Sequence, residues 1–223
     1  MNGGFYISRL CAWAPGIETS GEWGQWAQGK REIVSAAKSP EIVFTDSMFR
    51  RRLSQISKMT VHVVHGLLPV KEDTKMFFVS FRGELSRQYQ INKMLIEEKS
   101  LMPAAFSFSV FNAPAALASI ALGLKGGYTA LYPGNNSFVS GLASAQAAFC
   151  NTQSELIFVY ADEQPPPEYE CFVKNFPPPL AFAFILTQKP QPSSVPLMPL
   201  EAGEDSPHDF LKRLLLRGDI NAS

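Results

Sequence analysis

The sequence predicts an α/β fold, a mixed five-stranded sheet with helices on both faces, and three observations carry that expectation. Five short apolar runs, 5–10, 76–81, 128–132, 156–161 and 180–187, read as buried strands, and helical periodicity fills the gaps between the earlier ones. The stretch from Ala104 to Cys150 holds a single charged side chain, Lys125, so it belongs in a core. Gly123, Gly126, Gly127, Pro133 and Gly134 interrupt that stretch too often for one membrane helix.

Phe5 to Leu10 is the first strand. Residues 13–30 are rich in Gly and polar side chains and predict a loop with a short helix around Gly21 to Ala27. Trp13, Trp23 and Trp26 suit either a carbohydrate or base platform or plain packing, the commoner use of Trp. From Asp46 onward, Met48, Leu53, Ile56, Met59, Val63 and Leu67 fall near helical spacing behind an Asp or Ser cap, which predicts one helix. It carries a basic cluster, Arg50, Arg51 and Arg52. His62 and His65 lie three apart on it, with no carboxylate or Cys at matching spacing, so no metal site is expected.

MFFVSF, Met76 to Phe81, is a compact strand closed by Arg82-Gly83-Glu84. A helix from Leu85 to Lys99 follows, with Leu85, Ile91, Leu95 and Met94 turned inward. Phe106, Phe108 and Phe111 crowd the next segment; if 106–110 is extended, Phe106 and Phe108 share one side.

Asn112 to Leu124 is apolar all round, as in a helix covered on every face. Tyr128 to Tyr132 reads as a buried strand, and Asn135, Asn136 and Ser137 cap a helix from Phe138 to Phe149. A strand that hands over to a helix N-terminus places free N–H groups where negative charge is stabilised, a common setting for a nucleophile. LIFVYA, 156–161, ends at Asp162 and Glu163. LAFAFILT, 180–187, is the last strand. Pro, Ser and acidic residues from Lys189 to Asp205 predict a loose arm before an amphipathic helix, Asp209 to Leu216, which divides the chain into 1–188 and 189–223.

Zero formal net charge argues against nucleic acid, and 46% hydrophobic content supports a real core. Cys11, Cys150 and Cys171 are scattered without metal-type pairing, which points to a reduced, cytoplasmic protein. Neither a secretory signal nor a membrane span is expected. No cofactor is implied.

Val110 to Gly127, VFNAPAALASIALGLKGG, resembles the N-terminal half of β-ketoacyl synthases, which share the thiolase fold. It lines up with their pre-nucleophile helix and Gly-Pro turn. The resemblance implies a thiolase-like half of βαβαβαββ order and puts Asn135, eight residues after Gly127, where the family carries its nucleophilic Cys. A carboxamide loses no proton near neutral pH and accepts no acyl chain as a thioester. Chain length factors, the partner subunits of type II polyketide synthases, also lack that Cys and typically carry Gln. Single-half members look most like those of aryl polyene pathways.

A complete synthase continues into a second half that brings two active-site histidines, and this chain stops before it. The resemblance therefore implies a non-catalytic, chain-length-factor-like subunit in type II polyketide or fatty acid synthesis. Its partners would be a full-length ketosynthase, in a heterodimer, and transiently an acyl carrier protein. A lone half is expected to leave a sheet and helix face uncovered for that partner. Ile91, Met94, Leu95, Phe106, Phe108 and Phe111 fall where the family borders the acyl tunnel. Thr129 and Leu131 lie on the strand that pairs across the family's twofold axis, and Arg50, Arg51 and Arg52 offer a carrier-protein docking site. The competing expectation is a small acyltransferase or thioesterase that uses Ser137 or Cys150 with His62 or His65. A plain interaction module is the third.

Overall fold

A computed structural model of the protein describes residues 4–100, 103–134, 137–149, 154–173, 176–197 and 206–217. Six strands form one sheet: β1 (Tyr6–Trp13), β2 (Lys75–Val79), β3 (Tyr128–Leu131), β4 (Glu155–Asp162), β5 (Leu180–Thr187) and β6 (Val195–Pro196), in the order β3-β2-β4-β5-β1-β6. The β2 strand runs parallel to β3 and β4, whereas β5 is antiparallel to both β4 and β1, and β1 to β6. This is the mixed α/β sheet expected from the sequence, with one strand more. β6 comes from the segment expected to be a loose arm.

The central strands are apolar on both faces and alternate by side-chain size. Phe77, Phe158, Tyr160, Phe182 and Phe184 point to one face, where α1 (Ser20–Ala27), α7 (Phe138–Ala148) and α8 (Pro207–Leu216) bury them. Ala161, Ala181 and Ala183 point to the other, where α3 (Gln55–His65) and α6 (Ala113–Leu122) pack. The small side chains let α3 approach the sheet closely, and Ile56, Met59, Val63 and Val64 are fully buried there. Trp23 and Trp26 are buried in an edge-to-face pair, centroids 5.4 Å apart, so they pack and form no platform.

Four local expectations are corrected. Asp46 to Leu67 is two helices: α2 (Ser47–Arg52) ends where Leu53 turns extended, and Ser54 caps α3 by accepting from the Ser57 N–H. The β1 strand continues to Trp13 past a bulge at Arg9 (φ 47°), whose guanidinium leaves the sheet to donate to the Leu67 and Pro69 carbonyls. Residues 103–107 form a helical turn, α5 (Pro103–Ser107), so Phe106 and Phe108 do not alternate on a strand. The α6 helix is not covered all round: Ala115 and Ala118 are buried, but Ile120 is 72% exposed.

Nor is the sheet left with an open face. Phe210, Leu211 and Leu214 of α8 lie against Phe138, Phe182 and Phe184, so a C-terminal element covers what a lone half was expected to bare. Part of the apolar surface that stays uncovered lies at the β3 margin, where Ile120 and Tyr132 are exposed.

Candidate functional site

Among the described residues β3 pairs with β2 alone, and no strand lies on its other edge. Thr129 and Leu131 lie half-buried on it; Leu131 packs toward the aromatic face, and Tyr128 and Ala130 toward α6. Ile120 of α6 and Tyr132 at the end of β3 are exposed beside it. Helix α4 (Leu85–Glu97) is weakly covered: Ile91 is its only buried residue, and Leu95 and Ile96 are 42% and 79% exposed. Leu95 therefore points outward, against expectation; Met94 is half-buried.

The three phenylalanines separate. Phe106 is 54% exposed, whereas Phe108 and Phe111 pack beside the α3–α6 core. The Arg87 guanidinium sits 5.5 Å from the Phe108 ring centroid, and Phe111 meets Phe78 edge to face. Gly83 (φ 57°) makes room for Phe111, since a Cβ there would stand 2.7 Å from the ring.

Asn135, at the expected nucleophile position, and Cys150 lie outside the described residues. Ser137 caps α7 by accepting from the Ser140 N–H. The α7 helix packs on the aromatic face after β3, at one edge of the sheet. The α3 helix packs on the opposite face and ends at Gly66, which abuts Cys11 of β1 toward the other edge. The sheet thus separates Ser137 from both histidines. His62 is half-buried, with its pKa lowered by burial and then by His65, and His65 stacks on Phe44 at 3.6 Å.

Arg50 is spent on local structure, donating to the Val43 and Thr45 carbonyls. Arg51 and Arg52 are exposed, and Arg51 lines a cleft of about 490 Å³ with Lys58. Among the described residues no cluster of three or more His, Cys, Asp or Glu could hold a metal ion, and no helix is long and apolar enough to cross a membrane.

A buried acidic cluster escaped the sequence reading. At the C-terminal ends of β2 and β4, Asp162 Oδ1 accepts from Ser80 Oγ (2.7 Å), Phe81 N (3.1 Å) and Arg82 N (3.0 Å), and Tyr160 donates to Oδ2. Glu163 Oε1 accepts from Ser86 N (2.8 Å) and Oε2 from Ile56 N (3.5 Å), so one carboxylate joins the N-termini of α4 and α3. Glu84 Oε1 accepts from Ser54 and Ser57. Burial raises all three carboxyl pKa values, that of Glu163 to about 7 with Glu84 adding to the shift. The sequence signal was the pair Asp162-Glu163 closing an apolar strand, which also fits a solvated strand end.

This sheet, with a strand-to-helix turn at its β3 edge, is of the thiolase-like class. Residues 23–209 match the family described as β-ketoacyl synthase, N-terminal domain, and the chain belongs to that family. Among solved structures it is similar to the ketosynthase ApeO in complex with its chain length factor ApeC from Xenorhabdus doucetiae. The identity is 26% and the TM-score 0.69, over 83% of this chain and 79% of that one. The ishigamide ketosynthase/chain length factor shares the fold at 14% identity and TM-score 0.67, over 83% of this chain and 62% of that one. So does AntDE:AntF, a type II polyketide synthase acyl carrier protein in complex with its ketosynthase bound to the hexaketide. There the identity is 13% and the TM-score 0.61, over 84% and 64% of the two chains. No curated protein matches the sequence.

Proposed function

We propose that this chain is a non-catalytic, chain-length-factor-like subunit that pairs with a full-length ketosynthase in type II polyketide synthesis of the aryl polyene kind. The observation that carries the reading is the β3 margin: a sheet edge with no strand partner among the described residues, with Ile120 and Tyr132 exposed beside it, while Leu95 and Phe106 are exposed on α4 and α5. Free edges and clustered apolar side chains invite association, and natural proteins cover them. The 26% likeness to a ketosynthase–chain length factor complex supports this choice of cover. In this reading Thr129 and Leu131 form the junction, and Ile91, Met94, Leu95, Phe106, Phe108 and Phe111 border the partner's acyl tunnel. Asn135 replaces the nucleophile, and Arg51 and Arg52 are the free cations of a carrier-protein docking site. Residues 1–188 are the synthase-like half, and 189–223 are an appended segment held through β6 and α8. The compartment is the cytoplasm, where the partner would condense malonyl units with its own Cys and His.

Co-expression with a ketosynthase tests the pairing. The two chains should co-purify, and Ala130→Pro, which puts a ring and no N–H on the side of β3 that faces away from β2, should abolish the complex. Undiminished affinity in that variant would place the junction elsewhere.

A further inference from the structure

The outward side of α4 carries a second apolar surface that the β3 margin does not explain. Ile91, Met94 and Leu95 share one side of the helix, and Tyr89, Lys93 and Ile96 the other. On that second side Tyr89, Asn92, Lys93, Ile96 and Glu97 line a cleft of about 300 Å³. The segment 167–173 continues the surface: Tyr89 meets Tyr169 edge to face at 5.9 Å, and Tyr169 meets Phe172 at 6.3 Å. Phe172 is 80% exposed, Ile96 79% and Val173 45%. A run of aromatic and branched side chains this bare is costly in water.

Charge says what kind of surface covers it. Glu168 lies near Tyr89 and raises the pKa of its hydroxyl, Glu170 stands exposed on the same 3-10 turn (Pro167–Cys171), and Glu97 faces Lys93 at 4.0 Å. With Lys93 answered by Glu97, Glu168 and Glu170 leave the described rim net acidic. Because Ile91 is the only buried side chain of α4, cover on both sides would add to its hold on the chain.

We propose that a basic, apolar segment of the ketosynthase partner lies along Tyr89, Ile96, Tyr169 and Phe172, so that the partner clasps α4 from both sides. This inference rests on the pairing proposed above. It adds a partner-selecting contact in which apolar side chains fill the cleft and Lys or Arg meets Glu168 and Glu170.

The test uses the full chain co-expressed with the ketosynthase, in the variants Phe172→Ser and Glu170→Lys. Both sites are exposed, so circular dichroism and the melting temperature should match the parent. Dissociation constants measured by isothermal titration should rise at least tenfold in each variant, and the Glu170→Lys loss should shrink as salt is added. Unchanged constants in both variants, alongside a complex that Ala130→Pro abolishes, would overturn the clasp and leave the pairing intact. Absence of any complex with the parent chain would overturn both. Unchanged pairing with loss of heterodimer self-association in sedimentation would assign the surface to a second copy of the complex and overturn the proposal.

Discussion

Ser80 Oγ lies 2.7 Å from Asp162 Oδ1, so the hydroxyl that ends β2 donates to the carboxylate that ends β4. The same oxygen draws in the Phe81 and Arg82 N–H groups and so sets the direction in which the chain leaves β2 toward α4. Asp162→Ala strips a buried partner from four donors at once. It should destabilise the fold by about 3–5 kcal/mol, read by urea denaturation. A loss below about 1 kcal/mol would mean that water replaces the carboxylate.

Two buried groups give opposing pH dependences. Glu163 is raised from 4.5 to about 7, so the folded state holds a proton that the unfolded state has released across that window. Its contribution is full below pH 4.5 and is lost as pH rises through about 7. Glu84 and Asp162, also raised, act in the same sense. His208 is lowered from 6.5 to about 4, chiefly by burial, and costs stability as pH falls through 6.5. Glu163→Gln should therefore gain stability over the parent on going from pH 5 to pH 8, by roughly 3 kcal/mol if the whole shift is expressed. Parallel stability curves for parent and variant would refute this.

No acyl group should attach to the chain. After incubation with malonyl- or acyl-carrier protein, intact mass should be unchanged, because Asn135 offers no thiolate. An adduct that vanishes in Asn135→Ala would contradict this. Asn135→Cys should not by itself produce condensation.

Phe106→Ala and Met94→Ala should lengthen the product of the reconstituted pair at little cost in stability, since neither side chain is buried. Phe108→Ala removes a ring packed beside the core and should cost stability, up to about 3 kcal/mol, before length can be judged. Mass spectrometry of the products decides: unaltered lengths in the stable variants mean that the partner alone measures the chain.

The strands were legible wherever apolar runs were bounded by Gly, Pro or charge, and 180–187 is observed with its expected limits. The element order of a thiolase-like sheet followed from that. Less legible were features decided by distant contacts. Nothing local marks Leu53 as extended, because the break serves Ser54, which caps α3 while its hydroxyl donates to Glu84. The Arg9 bulge depends on carbonyls at Leu67 and Pro69. The phenylalanine-rich segment 106–110 admits an extended reading, yet Pro103 opens a helical turn that takes in Phe106. The acidic cluster gathers residues from α3, α4 and β4, and only the folded sheet brings them together. At the candidate interface, Thr129 and Leu131 were legible as strand residues, whereas the outward turn of Leu95 depends on what α4 packs against.

The strand order has a consequence for synthesis on the ribosome. The β1 strand precedes the other five in chain order, but its hydrogen-bonding partners are β5 and β6. The nascent chain must therefore carry β1 unpaired while β2, β3 and β4 are made, and the sheet cannot close until β5 clears the exit tunnel. During that interval the β3 edge and the aromatic face are both bare, so chaperone occupancy or early capture by a binding partner would govern the yield of folded protein.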